Sequence, residues 1–333
     1  MIENKAFFQE PEPKESQCLE TILQPGSFLR IKGPQNMGKT RLLNRVLAKV
    51  KEDKQDDCQI VILNWQNEFD STTFNNYNEF LKNFCATSEK YLGLRNNLDT
   101  YWNNRGTPNN KTTGYFSQSL LTQIDRQLIL VLEEMDLVFD YPLIATDFCG
   151  LLRGWHEESK RDKLWQKLSL VIVHSTDKYA SLDITNSPLN NIGETISIEE
   201  FTRSEVDQII QSYDLSLSNE QVENLIALVK GHPFLVNHAL KKMAFQSMKL
   251  EEILAKADTK ESIYRDHLLK LLNILQEKPP LKEAFKKVVT ESAPVNLNAH
   301  ISFKLESVGL IRINGDLAEP RSPLYRQYFA KNL

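Results

Sequence analysis

The sequence predicts an α/β fold in which a parallel sheet is covered by helices on both faces, followed by an all-helical stretch and a small helix-and-hairpin end. Three observations carry this. Short, branched, continuously apolar runs alternate with helical patterns over the first 200 residues. From Thr202 to Gln276 the periodicity becomes wholly helical, and the pair Pro279–Pro280 then opens a last unit of different pattern.

The strands are Ser27 to Lys32, Gln59 to Asn64, Leu128 to Leu132 and Leu168 to His174. Each is too short for a buried helix and is rich in Ile, Val and Leu, as strands buried on both faces are. Strands alternating with helices imply a parallel sheet joined by right-handed crossovers. Between the second and third strands lies a long polar segment, Phe69 to Gly114, in which Tyr77 to Leu92 has helical spacing. Asn103 to Thr113 holds Gly, Pro and four Asn and is expected to be an exposed loop.

In the helical stretch, apolar residues recur at 206, 209, 210 and at 222, 225, 226, 229, before Gly231-His232-Pro233 breaks the pattern. Proline there starts a new helix at its first turn. The last unit reads helix, short strand, helix, then Leu310 to Ile313 leading into the turn Asn314-Gly315-Asp316. That order resembles a winged helix with the turn as wing tip. The expected organisation is 1–200, 201–278 and 279–333.

Composition narrows the classes. With 41% hydrophobic and 25% charged residues the 333-residue chain can bury a substantial core. The longest apolar runs are too short to span a bilayer, and Met1 to Glu10 lacks a basic-then-apolar pattern, so a soluble, cytoplasmic protein without membrane contact is expected. Cys18, Cys58, Cys85 and Cys149 form no C-x-x-C pair and are expected as reduced, mostly buried thiols. A net charge of −4 argues against whole-surface attraction to a polyanion.

Gly33-Pro34-Gln35-Asn36-Met37-Gly38-Lys39-Thr40 satisfies G-x-x-x-x-G-K-[ST] after an apolar strand and before an amphipathic helix carrying Leu42, Leu43, Val46 and Leu47. The glycines let backbone N–H groups face a phosphate, the helix start adds its positive dipole end, and Lys39 bridges β- and γ-phosphates. Thr40 is the expected Mg2+ ligand, and Arg41 adjoins the loop. ATP or ADP with Mg2+ is the implied cofactor.

Leu128 to Leu132 ends in Glu133-Glu134-Met135-Asp136, acids at the carboxyl end of a buried strand, where ligands sit in open α/β sheets. This looks like a Walker B element, with Glu133 holding Mg2+ through water and Glu134 polarising the attacking water. The first acid is normally Asp. Glutamate extends the carboxylate by about 1.5 Å, and displacements near 1 Å cost about 100-fold in rate, so slow or partner-dependent hydrolysis is expected. Leu168 to His174 ends in His174-Ser175-Thr176. A polar strand tip is also an ordinary loop start, and both readings stay open here.

Taken together, PGSFLRIKGPQNMGKT (Pro25 to Thr40), LEEMD (Leu132 to Asp136), DFCGLLRGWHE (Asp147 to Glu157), VIVHSTDKY (Val171 to Tyr179), GHPFLV (Gly231 to Val236) and LYRQYF (Leu324 to Phe329) resemble the bacterial AAA-like domain family, relatives of the STAND signalling ATPases. The likeness runs from about Phe7 to Phe329. It implies an additional-strand, AAA-like P-loop NTPase core with a helical lid and a C-terminal winged-helix-like domain, acting as a nucleotide-dependent switch or assembly scaffold in signalling or defence. It further implies that His174 lies on a sensor strand that reads the γ-phosphate, and that Pro233 packs on the nucleotide base. Arg153, in the LLRGWHE block on a helical stretch, is expected to pair with Glu157 four residues on, ahead of a phosphate-sensor role or a finger toward a neighbouring subunit. The sequence departs from the family in having Glu133 for Asp, and Phe7-Phe8-Gln9-Glu10 where an aromatic-hydrophobic-x-Arg element is usual.

Protein partners or self-assembly are expected before DNA. Leu281 to Leu333 carries eight Lys or Arg against five acids, and the wing, Ile313 to Leu317, has an acid and no basic residue. Such a tip is poorly suited to lie against phosphates. A winged helix docked on duplex DNA is the alternative.

Overall fold

A computed structural model of the protein describes residues 13–54, 56–95, 98–179 and 189–333. The element at Phe7 to Glu10 lies outside the described residues. The chain divides into two compact units. One comprises Lys39–Ser197 with the segment ending at Lys32; the other comprises Gly33–Gly38 with Ile198–Leu333.

The first unit is built on a five-stranded sheet of order β2-β3-β4-β1-β5, from Phe28–Gly33 (β1), Cys58–Asn64 (β2), Gln127–Glu133 (β3), Leu168–Ser175 (β4) and Glu194–Ser197 (β5). The β1–β5, β2–β3 and β3–β4 pairs are parallel, with Leu29 opposite Glu194, Asn64 opposite Glu133 and Leu132 opposite Ile172. The strand β4 therefore lies between β1 and β3. All eight of its residues are buried, which is why it reads as an unbroken apolar run. The edge strand β2 is only partly covered.

An aromatic core fills one face. Trp65, fully buried at the end of β2, has the rings of Phe69, Phe80, Phe84 and Phe148 at 4.5–6.1 Å. The helix Tyr77–Leu92, in the range its spacing predicts, supplies Phe80 and Phe84 from its buried side. Pro142–Ser159, which contains the LLRGWHE block, supplies Phe148 and Trp155. The block is thus largely core. Its Arg153 is exposed, and Glu157 takes Lys160 as its hydrogen-bond partner at 2.7 Å, with the Arg153 charge adding to the field that holds Glu157 low.

The expected exposed loop at Asn103 to Thr113 holds for its first half, residues 103–107, and fails for the second. Pro108–Tyr115 is a helix, with Pro108 in its first turn and the Thr107 hydroxyl accepting from the Asn110 N–H. Thr-Pro is a helix start as well as a turn signal, and the burial of Tyr115 and Thr112 decides between them. All four cysteines are free and buried. No helix among the described residues is long and apolar enough to cross a membrane.

In the second unit, Arg203–Ser212 and Asn219–Val229 each start with a capping box, Thr202 with Glu205 and Ser218 with Gln221. They pack with Pro233–Gln246, Leu250–Ala255 and Arg265–Glu277 around one hydrophobic cluster. The chain then runs through the helix Pro279–Thr290, the strand Val295–Asn296 (β6), the helix Ala299–Val308, the strands Ile311–Asn314 (β7) and Leu317–Pro320 (β8), and the helix Pro323–Asn332. The three strands form an antiparallel sheet of order β6-β8-β7, with Gly315 at φ 60 in the two-residue turn. Leu324, Tyr325, Tyr328 and Phe329 of the LYRQYF segment face the core, so that motif is a packing surface. Glu200 accepts from Arg312 Nε at 3.0 Å and from Arg321 Nε at 2.7 Å, tying the start of this unit to its terminal sheet.

Candidate nucleotide site

The loop between β1 and the helix Lys39–Lys54 turns through two left-handed residues, Asn36 at φ 63 and Gly38 at φ 92. Such turns point successive N–H groups to one side and form an anion-binding concavity. Met37 between them is fully buried and anchors the loop, while Asn36, Thr40 and Arg41 are exposed. The following helix buries Leu43, Val46, Leu47 and Val50, which fixes its start and its positive dipole end.

Within the unit that contains Gly33–Gly38, three further groups hold the loop. A Cβ on Gly38 would sit 3.6 Å from Pro233 Cβ, and one on Gly309 would come within 2.8 Å of Pro34 Cβ. Lys270 Nζ donates to Gln35 Oε1 at 2.6 Å. Pro233 is placed there by Gly231. At φ 72, with its Cα so close to Phe201 that any Cβ would meet the Phe201 carbonyl oxygen at 2.3 Å, that position accepts glycine alone. Pro233 opens the helix Pro233–Gln246, as proline at a first turn does.

In the other unit, Lys39 Nζ donates to Ser175 Oγ at 3.1 Å. Burial pulls the Lys39 ammonium below its ordinary value, and the carboxylates of Asp136, Asp177 and Glu134 oppose that fall. Glu133 ends β3 and Glu134 follows at φ 60, a left-handed conformation that a side chain beyond Cβ disfavours. The backbone then turns so that the Met135 N–H reaches Val173 O at 3.2 Å, which delivers Asp136 to the tip of β4. Asp136 Oδ1 accepts from the Ser175 N–H at 2.6 Å, and Oδ2 accepts from Ser175 Oγ at 3.1 Å. Burial raises the Asp136 carboxyl, and the Ser175 hydrogen bonds and Lys39 counter this.

His174 is buried on β4 with its ring edge-on to Phe139 at 5.4 Å. Burial pushes it down to about 3, so it is a neutral imidazole at any physiological pH. The β4 residue that bonds Lys39 is its neighbour Ser175. Of the residues singled out from sequence, the structure joins Lys39 with Ser175, and Gly38 with Pro233. It adds Asp136 and Asp177, whose carboxylates act on Lys39. The third acid of LEEMD was the signal for Asp136.

The chain has similarity to known proteins at several levels. It is 23% identical over 231 residues to the WD repeat-containing protein slr0143 of Synechocystis; that match takes in 67% of this chain, which spans only 19% of the relative's length. Its fold is similar to that of the Walker-type ATPase PABY2304 of Pyrococcus abyssi, with TM-score 0.66 and 12% identity, covering 96% of this chain and 95% of that one. The ORC2 protein of Aeropyrum pernix, solved as ADPNP-ADP complexes, is similar at TM-score 0.50 and 15% identity, with 95% and 90% covered. The α/β core with its five-stranded parallel sheet is therefore that of P-loop ATPases. The model of the AAA-like domain family matches residues 1–331, and the chain belongs to that family.

Proposed function

We propose that the protein binds ATP with Mg2+ and works as a nucleotide-dependent switch or assembly scaffold in signalling or defence, hydrolysing ATP slowly or only with a partner. The observation that carries this is the complete phosphate loop. Its two left-handed turns, Asn36 and Gly38, end at the helix start where Lys39 stands beside carboxylates. The donor set fits a phosphate chain with a hard cation: backbone N–H groups and an ammonium for phosphate, the Thr40 hydroxyl and the Glu133 carboxylate for Mg2+. Glu134 is assigned the attacking water, and Glu133 in place of Asp accounts for slow turnover. Bound Mg2+ supplies charge neutralisation on the phosphates.

Pro233, at the loop beside Gly38, is suited to sense which nucleotide is bound. The helices of residues 201–278 act as the lid, and residues 279–333 act as a winged-helix-like packing module. Protein partners are favoured over duplex DNA. Around the hairpin turn Asn314, Asp316 and Leu317 are exposed, so the tip offers an acid and no basic residue to a partner.

Labelled-ATP binding and single-turnover hydrolysis on purified wild type and Lys39→Ala test this together. Loss of a charge-assisted hydrogen bond of about 1.5–3 kcal/mol predicts affinity weakened about 10- to 150-fold. ATP binding indifferent to Lys39→Ala would sink the proposal. Rapid multiple turnover by the isolated wild type would overturn the assignment of Glu133 as the cause of slow hydrolysis.

A further inference from the structure

Ser175 lies between a group that can only donate and a group that, when ionised, can only accept. Its Oγ is 3.1 Å from Lys39 Nζ and 3.1 Å from Asp136 Oδ2. An ammonium has no lone pair and a carboxylate has no proton, so the single hydroxyl proton goes to Asp136 and a lone pair faces Lys39. The Ser175 N–H is committed too, to Asp136 Oδ1 at 2.6 Å. Both protons of Ser175 are thus held by one carboxylate, and toward an anion in the site the residue would present only lone pairs.

From this arrangement we infer that Asp136 is a positioning residue for the phosphate-binding lysine, acting through Ser175, and that the polar tip of β4 holds Lys39 instead of reading the γ-phosphate. The chain of bonds runs across two neighbouring strands. Asp136 follows β3, Ser175 ends β4, and each is fixed by main-chain pairing: β3 to β4 in register, and the Met135 N–H to Val173 O. The carboxylate therefore sets the hydroxyl, and the hydroxyl sets where the ammonium rests. Glu133 and Glu134 keep the Mg2+ and water roles proposed for them, so the three acids of LEEMD divide the work. The inference rests on the nucleotide reading above, because positioning Lys39 matters only if phosphate is its ligand.

A double-mutant cycle tests it, with ATP affinity as the readout and thermal unfolding as the check on folding. Asp136→Asn is expected to weaken ATP binding about tenfold in the wild-type background. On a Lys39→Ala background the same change is expected to cost less than about twofold, because its effect passes through the ammonium. Ser175→Ala should weaken binding severalfold while Ser175→Thr, which keeps donor and acceptor, binds as wild type. The serine pair carries the test if Asp136→Asn does not fold. An equal cost of Asp136→Asn with and without Lys39, or unchanged affinity in Ser175→Ala, overturns the inference and leaves nucleotide binding standing. A wild type that binds no ATP overturns both.

Discussion

Trp65→Ala is expected to remove about 3–5 kcal/mol of folding stability, measured as a lower chemical-unfolding midpoint by near-UV circular dichroism. Trp65 is fully buried, and its deletion leaves a hollow that four rings on three different segments cannot all close. Phe80 and Phe84 are fixed by one helix, Phe148 by another and Phe69 by the chain just beyond the end of β2, so collapse toward the gap would drag the backbone. Trp65→Phe should behave differently. The indole N–H is buried without a hydrogen-bond partner, which costs about 1–3 kcal/mol. Phenylalanine removes that donor and keeps most of the stacking, so a loss under about 1.5 kcal/mol is expected. Equal losses for the two variants would show that ring packing is not what Trp65 contributes.

Glu200→Ala is expected to cost about 3 kcal/mol at pH 7, the lower end of the range for breaking a buried charge pair. Arg321 would be left 91% buried without its carboxylate, whereas the Arg312 side chain is 35% exposed and can turn to water. The effect has a pH signature. Burial by itself would raise the Glu200 carboxyl, but Arg321 and Arg312 outweigh burial and hold it below the ordinary range. A carboxyl lowered on folding adds stability that is present above its unfolded value of about 4.3 and is lost as the pH falls through the folded value. The stability gap between wild type and Glu200→Ala should therefore narrow as acid is added below about pH 4. Calorimetric unfolding at pH 7 and in that acid range would show it; a constant gap would mean that the arginines are satisfied without Glu200.

Much of the α/β unit was legible because its strands are buried on both faces. Gln59 to Asn64 and Leu128 to Leu132 lie within the observed strands because continuous apolar runs have no other low-energy use at that length. The phosphate loop was equally local, its left-handed residues lying inside the motif itself. What sequence could not show was anything set by strand neighbourhood. Asp136 meets Ser175 only because β3 and β4 are adjacent, a fact of sheet order and not of spacing along the chain. The helix at Pro108–Tyr115 was hidden for a different reason. Its Asn-rich composition reads as a loop, and burial of Tyr115 against the rest of the core overrides that preference.

The position of β1 in the sheet also governs the order in which the protein can be assembled on the ribosome. The strands β2, β3 and β4 are neighbours both in the chain and in space, so they can pair as they emerge. The strand β1, though made first, has β4 and β5 as its neighbours, and Leu29 must wait for Glu194, about 165 residues later. At roughly 5–20 residues per second that leaves the β5-facing edge of an apolar strand unpaired for on the order of ten seconds or more. The strand that leads into the phosphate-binding turn is therefore among the last of the sheet to complete its pairing, and nascent chains stalled before β5 should be the ones that need a chaperone.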